Sequence, residues 1–519
     1  MSDKLKQLLQ MEDTYKKYID ELHAIELFKE YGCNLPSEHE KKLETVNIPY
    51  EKISEIRKQI LQEKENESIY DDKLQIIIKS FIEMNQWGKN AETTQLFDDE
   101  NKLINEYFTI QNIIYEQLSK ITVKDNRKDY WLESSSIINT FENEINSILN
   151  NLIEIRNQIS KINQFESYQQ YSNKLNKTTE HTERDVIEWK NNIQKYIIPL
   201  VRDIYHENAL ELGIESINPW DLDYLENGKI DISYSLQECI PSIFQLLEEL
   251  DSDFYIYLSQ LWLDGYIDIE MRKSKVDFGF CIELPYSKKF FISIYPTNSM
   301  MDIYYFIHEV GHGYHNYLKH NLSHYTERNT NNEVNELFAH LFESILIFQL
   351  FGNQKDVIRN YLNQLVISIP FNVAIHGFQE KLYTQQYPSA KEKKDLFLDI
   401  LKKYTHHCVN IEPYEKEVNS LWLMQEQIFS TPFYYIEYSY AKLASLYHLA
   451  LHSDKNFFLL KQVFSQIKQV FSQGAYLSPN ETFKQVVNSG LLLSEEKFIH
   501  VSKFVRKKKK IKISNNIEI

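Results

Sequence analysis

From Lys4 to about Trp189, apolar residues recur at three- and four-residue intervals, as in Glu51 to Gln62 and Lys73 to Met84. That period predicts successive amphipathic helices. Breaks fall at Asn34-Leu35-Pro36-Ser37 and around Pro49. No fixed period repeats, so a helical solenoid is not indicated. A further helix is predicted from Lys190, ended by Pro219-Trp220. The stretch from Phe278 to Tyr295 differs: it is rich in Phe, Ile and Tyr around Pro-Tyr-Ser-Lys-Lys, the pattern of a β-hairpin. A helix over Met301 to Leu318 follows, then an Asn- and Thr-rich loop from Asn321 to Asn332, then a helix over Glu333 to Phe351. The rest, to about Lys508, again reads as mostly helical. The expected fold class is mainly α with one small sheet, divided into an N-terminal helical lobe, 1–189, and a second domain, 190–519.

Composition agrees with long uninterrupted elements, because 519 residues contain only 12 glycines and 12 prolines. With 43% hydrophobic and 25% charged residues the chain has the makeup of a folded globular protein. A formal net charge of -17 argues against nucleic acid or an anionic membrane as a partner of the body of the protein. The basic run Arg506, Lys507, Lys508, Lys509, Lys510 and Lys512 reads as a solvated end. Cys33, Cys239, Cys281 and Cys408 are widely spaced and form no CxxC pair, so they are expected to be reduced thiols. The N-terminus lacks an apolar signal region, and no apolar run reaches the roughly 18 residues of a membrane span. A cytoplasmic location is the expectation.

His308-Glu309-Val310-Gly311-His312 is an HExxH motif inside a predicted helix. Residues four apart on a helix are offset by about 40°, so both imidazoles leave one face and can share a metal. Glu309 then lies near the open coordination position, where a carboxylate can take a proton from metal-bound water. A catalytic zinc site needs a third protein ligand, and the next predicted helix offers Glu333, Glu336, His340 and Glu343. Glu336, His340 and Glu343 form one stripe on an otherwise apolar helix, so their carboxylates need a partner such as a metal. Thr330-Asn331-Asn332-Glu333 fits a capping box that would occupy Glu333, which leaves Glu336 as the better ligand.

These residues resemble the oligoendopeptidase F and thimet oligopeptidase family of zinc metallopeptidases. There, HExxH is followed some 25 residues later by a glutamate ligand, with a further glutamate seven residues beyond. Here Glu336 lies 24 residues after His312, Glu343 lies seven after Glu336, and His315 matches an extended HExxHxxH form. The likeness covers roughly Val186 to Leu451, including Tyr266-Ile267-Asp268-Ile269-Glu270 and Phe278-Gly279-Phe280-Cys281. Pro432-Phe433-Tyr434-Tyr435-Ile436-Glu437-Tyr438 resembles the family's tyrosine-rich segment, whose phenols line the site. The resemblance implies a two-lobed helical fold with one Zn²⁺ per chain deep in a channel, held by His308, His312 and Glu336. It also implies oligopeptide substrates cut as short unstructured chains, with Glu309 as general base. Tyr435 and Tyr438 are the candidate oxyanion donors; Tyr434, Gln427, His315 and Glu343 are candidates for substrate binding or for support of the ligands.

Two positions depart from the family pattern. Gln427 stands where many relatives carry a histidine, and glutamine can donate a hydrogen bond but cannot be a cation. Thr297-Asn298-Ser299-Met300 replaces a stretch that contains glycine in many relatives. Gln427 motivates a rival reading, a zinc-containing peptide-binding protein with weak or absent turnover. His406-His407-Cys408 lacks partner spacing for a metal cluster, and Glu309-Val310-Gly311-His312 is an ExxH half-motif of di-iron bundles without its counterpart.

Overall fold

The computed structural model describes residues 3–33, 35–36, 39, 50–64, 77–78, 93–122, 126–175, 182–226, 234–272, 274–276, 278–405 and 409–509. His406-His407-Cys408, most of Lys73 to Met84, and the tail from Lys510 lie outside them. The chain forms two compact units, each assembled from three stretches. One comprises Met1–Met84, Ile230–Ile358 and His448–Leu491; the other comprises Asn85–Lys229, Arg359–Tyr447 and Leu492–Ile519.

The first unit is built around a three-stranded sheet covered on both faces. Its elements are α1 (Asp3–Glu30), α2 (Tyr50–Lys64), α3 (Leu236–Leu250), α4 (Ser252–Leu263), β1 (Ile267–Asp268), β2 (Phe280–Leu284) and β3 (Lys289–Ser293). They continue with α5 (Met300–Lys319), α6 (Asn332–Phe351), α7 (Phe457–Phe471) and α8 (Pro479–Val487). The strand order is β1-β3-β2, with β1 parallel to β3 and β2 antiparallel to it. The predicted hairpin is present, in a register that places Ile282 opposite Phe291 and Cys281 opposite Ile292. Side chains alternate across a strand, so one face carries Phe280, Ile282 and Phe291 and the other carries Cys281, Glu283 and Phe290. Phe291 packs on Phe28 of α1 at a ring-centroid distance of 4.7 Å, and Phe290 on Tyr257 of α4 at 5.8 Å. Four of the five β3 residues are buried, as a strand covered on both faces requires.

The second unit is helical throughout its described residues, with long helices at Thr94–Leu118, Glu142–Ile162, Ala390–Thr405 and Glu495–Lys509. Two expectations are corrected here. The helix that contains Pro199 ends at Leu212, where Gly213 takes the left-handed conformation (φ 67), and Pro219 opens the next helix instead of ending this one. A left-handed glycine relieves the last carbonyls of a helix, and proline fits a first turn whose N–H groups have no helical acceptor. The basic run is also not a purely solvated end. Arg506 pairs with Asp203, and Lys509 is buried with its Nζ 3.1 Å from Glu207. These carboxylates tie the helix Glu495–Lys509 to the helix Ile198–Leu212.

Helix α6 has the length and hydropathy of a membrane span, at a mean of 1.3, but 83% of that window is buried. It is a core helix of the first unit, and the carboxylates it carries form part of the site described next.

Candidate active site

Helix α5 begins where the Thr297–Met300 stretch is tied to Asp302. The Asp302 carboxylate accepts from the Thr297 N–H at 2.9 and 3.0 Å, from Thr297 Oγ1 at 2.7 Å and from the Ser299 N–H at 3.2 Å, while Ser299 caps the helix. A cap of this type stabilises a helix start by about 1 kcal/mol. Asn298 adopts φ 59, a left-handed conformation that asparagine tolerates better than most residues. The stretch therefore makes the turn without a glycine.

Two glycines then let α5 press against its neighbours. A Cβ on Gly311 would lie 3.0 Å from Ala339 Cα of α6, and one on Gly313 would lie 2.5 Å from the Phe290 ring of β3. A Cβ would overlap the ring at Gly313 and be tightly squeezed at Gly311, so the segment His308–Gly313 is seated between α6 and the sheet. On α6 the predicted Thr330 capping box is not formed. The N-cap is Asn331, without a side-chain cap bond, because Thr330 Oγ1 instead donates to Asn335 Oδ1 at 2.6 Å and accepts from the buried Lys319 ammonium at 3.0 Å. Glu333 is fully buried in the first turn of α6.

The close packing of the two helices brings three lone-pair groups to one point. His308 Nε2 and His312 Nε2 are 3.1 Å apart, Glu336 Oε2 is 3.5 Å from His308 Nε2, and Glu336 Oε1 is 3.8 Å from His312 Nε2. Ligands bound tetrahedrally at zinc distances are separated by roughly 3.4 Å, so these separations fit one such ion. His308 Nδ1 faces Glu343 Oε2 at 3.1 Å, and His340 Nδ1 faces the same oxygen at 3.0 Å. Glu343 thus fixes the His308 ring with Nε2 toward Glu336, the role a carboxylate plays behind a metal-bound histidine. His308, Glu336 and His340 form an alternative donor set, with ligand atoms within 4.8 Å of one another. The His308–His312–Glu336 set is tighter, at 3.1–3.8 Å.

The electrostatics follow from three lone-pair donors, one buried and two largely buried, in one place. Burial disfavours the charged form of His308, but Glu336 and Glu343 outweigh it and raise its pKa to about 10. Burial carries His312 down to about 4, against the attraction of Glu336. Burial opposes ionisation of Glu336 and Glu343 too, yet the surrounding histidines hold both at about 2. The cluster is one that favours a single positive charge at its centre. Glu309 is buried beside it, and burial, reinforced by Glu336 and Glu343 and opposed by His308, lifts its carboxyl to about 7.

The start of β2 runs along Glu309. A Cβ on Gly279 would stand 3.7 Å from Glu309 Cγ and Oε1, a proximity that the glycine in Phe278-Gly279-Phe280-Cys281 did not announce in the sequence. Cys281 lies on the same strand face, and its thiol is pushed well up by burial and by the charges of Glu309 and Glu283. His315 is buried between Phe338 and Phe471, each ring centroid 5.3 Å away, and burial holds it neutral.

The remaining predicted residues belong to the second unit. Gln427 lies in the short helix Glu426–Phe429, with its Oε1 buried and without a hydrogen-bond partner among the described residues. Tyr435 opens the helix Tyr435–His452 and donates its hydroxyl to Gln425 Oε1 at 3.1 Å. Burial, with the Glu426 carboxylate beside it, raises the Tyr435 phenol to about 12, so it stays a hydrogen-bond donor at neutral pH. Tyr434 and Tyr438 pack edge to face, 5.1 Å between ring centroids. Within this unit Tyr435 and Tyr438 therefore have different near neighbours.

The sequence profile of Peptidase family M3 matches residues 117–490, well over half of the chain and inclusive of every residue discussed in this site. The chain belongs to this peptidase family. The family resemblance read in the residues is thereby borne out. An oligoendopeptidase F homolog from Borreliella burgdorferi is 22% identical over 270 residues, 48% of this chain, and the match spans 43% of that relative's length. Among solved structures, PZ peptidase A with inhibitor 2 superposes with a TM-score of 0.70 at 16% identity, covering 96% of this chain and 97% of that one. Oligoendopeptidase-F from Enterococcus faecium gives 0.61 at 14% identity, covering 98% and 92%. At these identities the structural likeness is one of fold. It agrees with the mainly α architecture and small sheet expected from the hydrophobic pattern.

Proposed function

We propose that this M3 family chain is a zinc-dependent endopeptidase of short, unstructured oligopeptides, with one zinc per chain held by His308, His312 and Glu336. The observation that carries the reading is the convergence of two imidazole Nε2 atoms and one carboxylate at 3.1–3.8 Å separations, with Glu309 buried alongside. Bound zinc would supply Lewis acidity toward water and the scissile carbonyl. Glu309 accepts the proton of the attacking water and returns it to the leaving amine, as a buried carboxylate beside the ligand cluster can do. Glu343 holds the His308 ring in register for this role. Tyr435 and Tyr438 donate to the developing oxyanion, while Gln427 and Tyr434 contact the substrate. An extended peptide pairs with β2, which stands at the edge of the sheet. The relatives' names support the oligopeptide class of substrate, and a cytoplasmic site of action is part of the proposal.

The ligand set is tested by metal analysis of two variants. His312→Ala loses the zinc and His340→Ala keeps it, because deletion of one of three ligands abolishes tight binding. The opposite pattern would assign the metal to His308, Glu336 and His340.

A further inference from the structure

In the second unit a fully buried arginine grips the backbone just after Gln427. Arg156 is 0% exposed, on the helix Glu142–Ile162. Its Nε donates to Glu100 at 2.6 Å and its Nη1 to the Tyr383 hydroxyl at 2.8 Å. Nη1 also reaches the Ile428 carbonyl at 3.4 Å, and Nη2 donates to the Phe429 carbonyl. These are the last carbonyls of the short helix Glu426–Phe429, groups that no further helical turn satisfies. Tyr107 holds the same stretch from another side: its ring stacks on Phe429 at 3.8 Å and its hydroxyl donates to the Leu423 carbonyl at 3.1 Å.

Four residues on, Phe433 has φ 72, a left-handed conformation that a bulky side chain keeps only where its surroundings impose it. Its N–H donates to Gln379 Oε1 at 3.1 Å, and its ring packs against Tyr383 and His376 at centroid distances of 5.4 and 5.8 Å. Tyr383 links the two halves of this cradle, since it touches both Arg156 and Phe433. A buried guanidinium is tolerated only when its donors are met in one geometry, so it specifies the path of the chain it binds.

We infer that Arg156, acting with the left-handed turn at Phe433, is a positioning residue: it fixes the backbone between Gln427 and Tyr435 and so presents the phenols of Tyr435 and Tyr438 in one orientation. This rests on the reading above that those phenols act on the substrate. Lysine cannot reproduce the four contacts. Arg156→Lys therefore lowers kcat by roughly 10- to 100-fold, the effect of a small misplacement of catalytic groups, with KM within about threefold and zinc content unchanged.

The deciding experiment is a double-mutant cycle on the zinc-loaded full chain, with a short peptide that wild type cleaves as substrate. Tyr435→Phe/Tyr438→Phe is compared in the wild-type and Arg156→Lys backgrounds. The double tyrosine change lowers kcat by about 100-fold in wild type. In Arg156→Lys it costs only about 1- to 10-fold, because the phenols can lose no more than what their misdirection has left of that 100-fold. Equal losses in both backgrounds overturn the positioning role while leaving the tyrosine reading intact. Full activity of the tyrosine variant in wild type removes the tyrosine reading and this inference with it. Should Arg156→Lys not fold, Tyr383→Phe takes its place: it keeps the Arg156–Glu100 pair, removes one anchor, and shows non-additivity of the same sign or refutes the inference.

Discussion

Glu343 Oε2 stands 3.1 Å from Nδ1 of His308, on the side of the ring opposite the nitrogen that faces Glu336. One carboxylate oxygen also meets His340 at 3.0 Å, so the ring that leads the metal cluster is held from behind by a group with no other place in the ligand set. This arrangement predicts that Glu343→Gln, which can still hydrogen-bond but carries no charge, weakens zinc affinity by roughly 10- to 100-fold without unfolding the chain. Competition with a chelator of known affinity measures it. Unchanged affinity would mean that Glu343 serves packing alone.

Glu309→Gln keeps zinc and fold and abolishes cleavage, since the amide fills the same space beside Gly279 but cannot accept a proton. Paired metal and turnover assays check this. Turnover within about tenfold of wild type would remove Glu309 from the role of base.

Asp251 anchors α5 from outside the site: its carboxylate accepts from the Tyr314 hydroxyl and from Lys468 of α7 while capping α4. Burial alone would raise its pKa, but these partners lower it. A depressed carboxylate pKa contributes stability that is present above the unfolded value, near 4, and is lost as pH falls through the folded one. Asp251→Asn retains the cap and loses the charge, so denaturant titration at pH 7 finds about 1–3 kcal/mol less stability. The gap narrows as pH falls through and below 4. A gap that stays constant or widens there would contradict the assignment.

The elements that bear the metal cluster were legible because their patterns are long. Met300–Lys319 and Asn332–Phe351 begin within a residue of the starts that apolar spacing predicts, and the hairpin stands around its Pro-Tyr-Ser-Lys-Lys turn. Strand β1 was not foreseen, since two residues, Ile267 and Asp268, carry no period. The cap at Thr330 was misread because a buried lysine at the end of helix α5, Lys319, competes for its hydroxyl. Nothing in the sequence marks Arg156, whose partners lie as far away as Phe429. Local chemistry can be read along a chain, whereas a buried charge is defined by what the fold brings to it.

The central claim, metal-dependent cutting of short peptides by the His308–His312–Glu336 site, is tested most directly by digestion of a mixed library of short peptides. The zinc-loaded chain would be assayed before chelation, after it, and after zinc is restored. The account predicts cleavage at internal bonds, its loss on metal removal, and its return with about one equivalent of zinc. A chain that holds one zinc and binds library peptides but cuts none of them would contradict it.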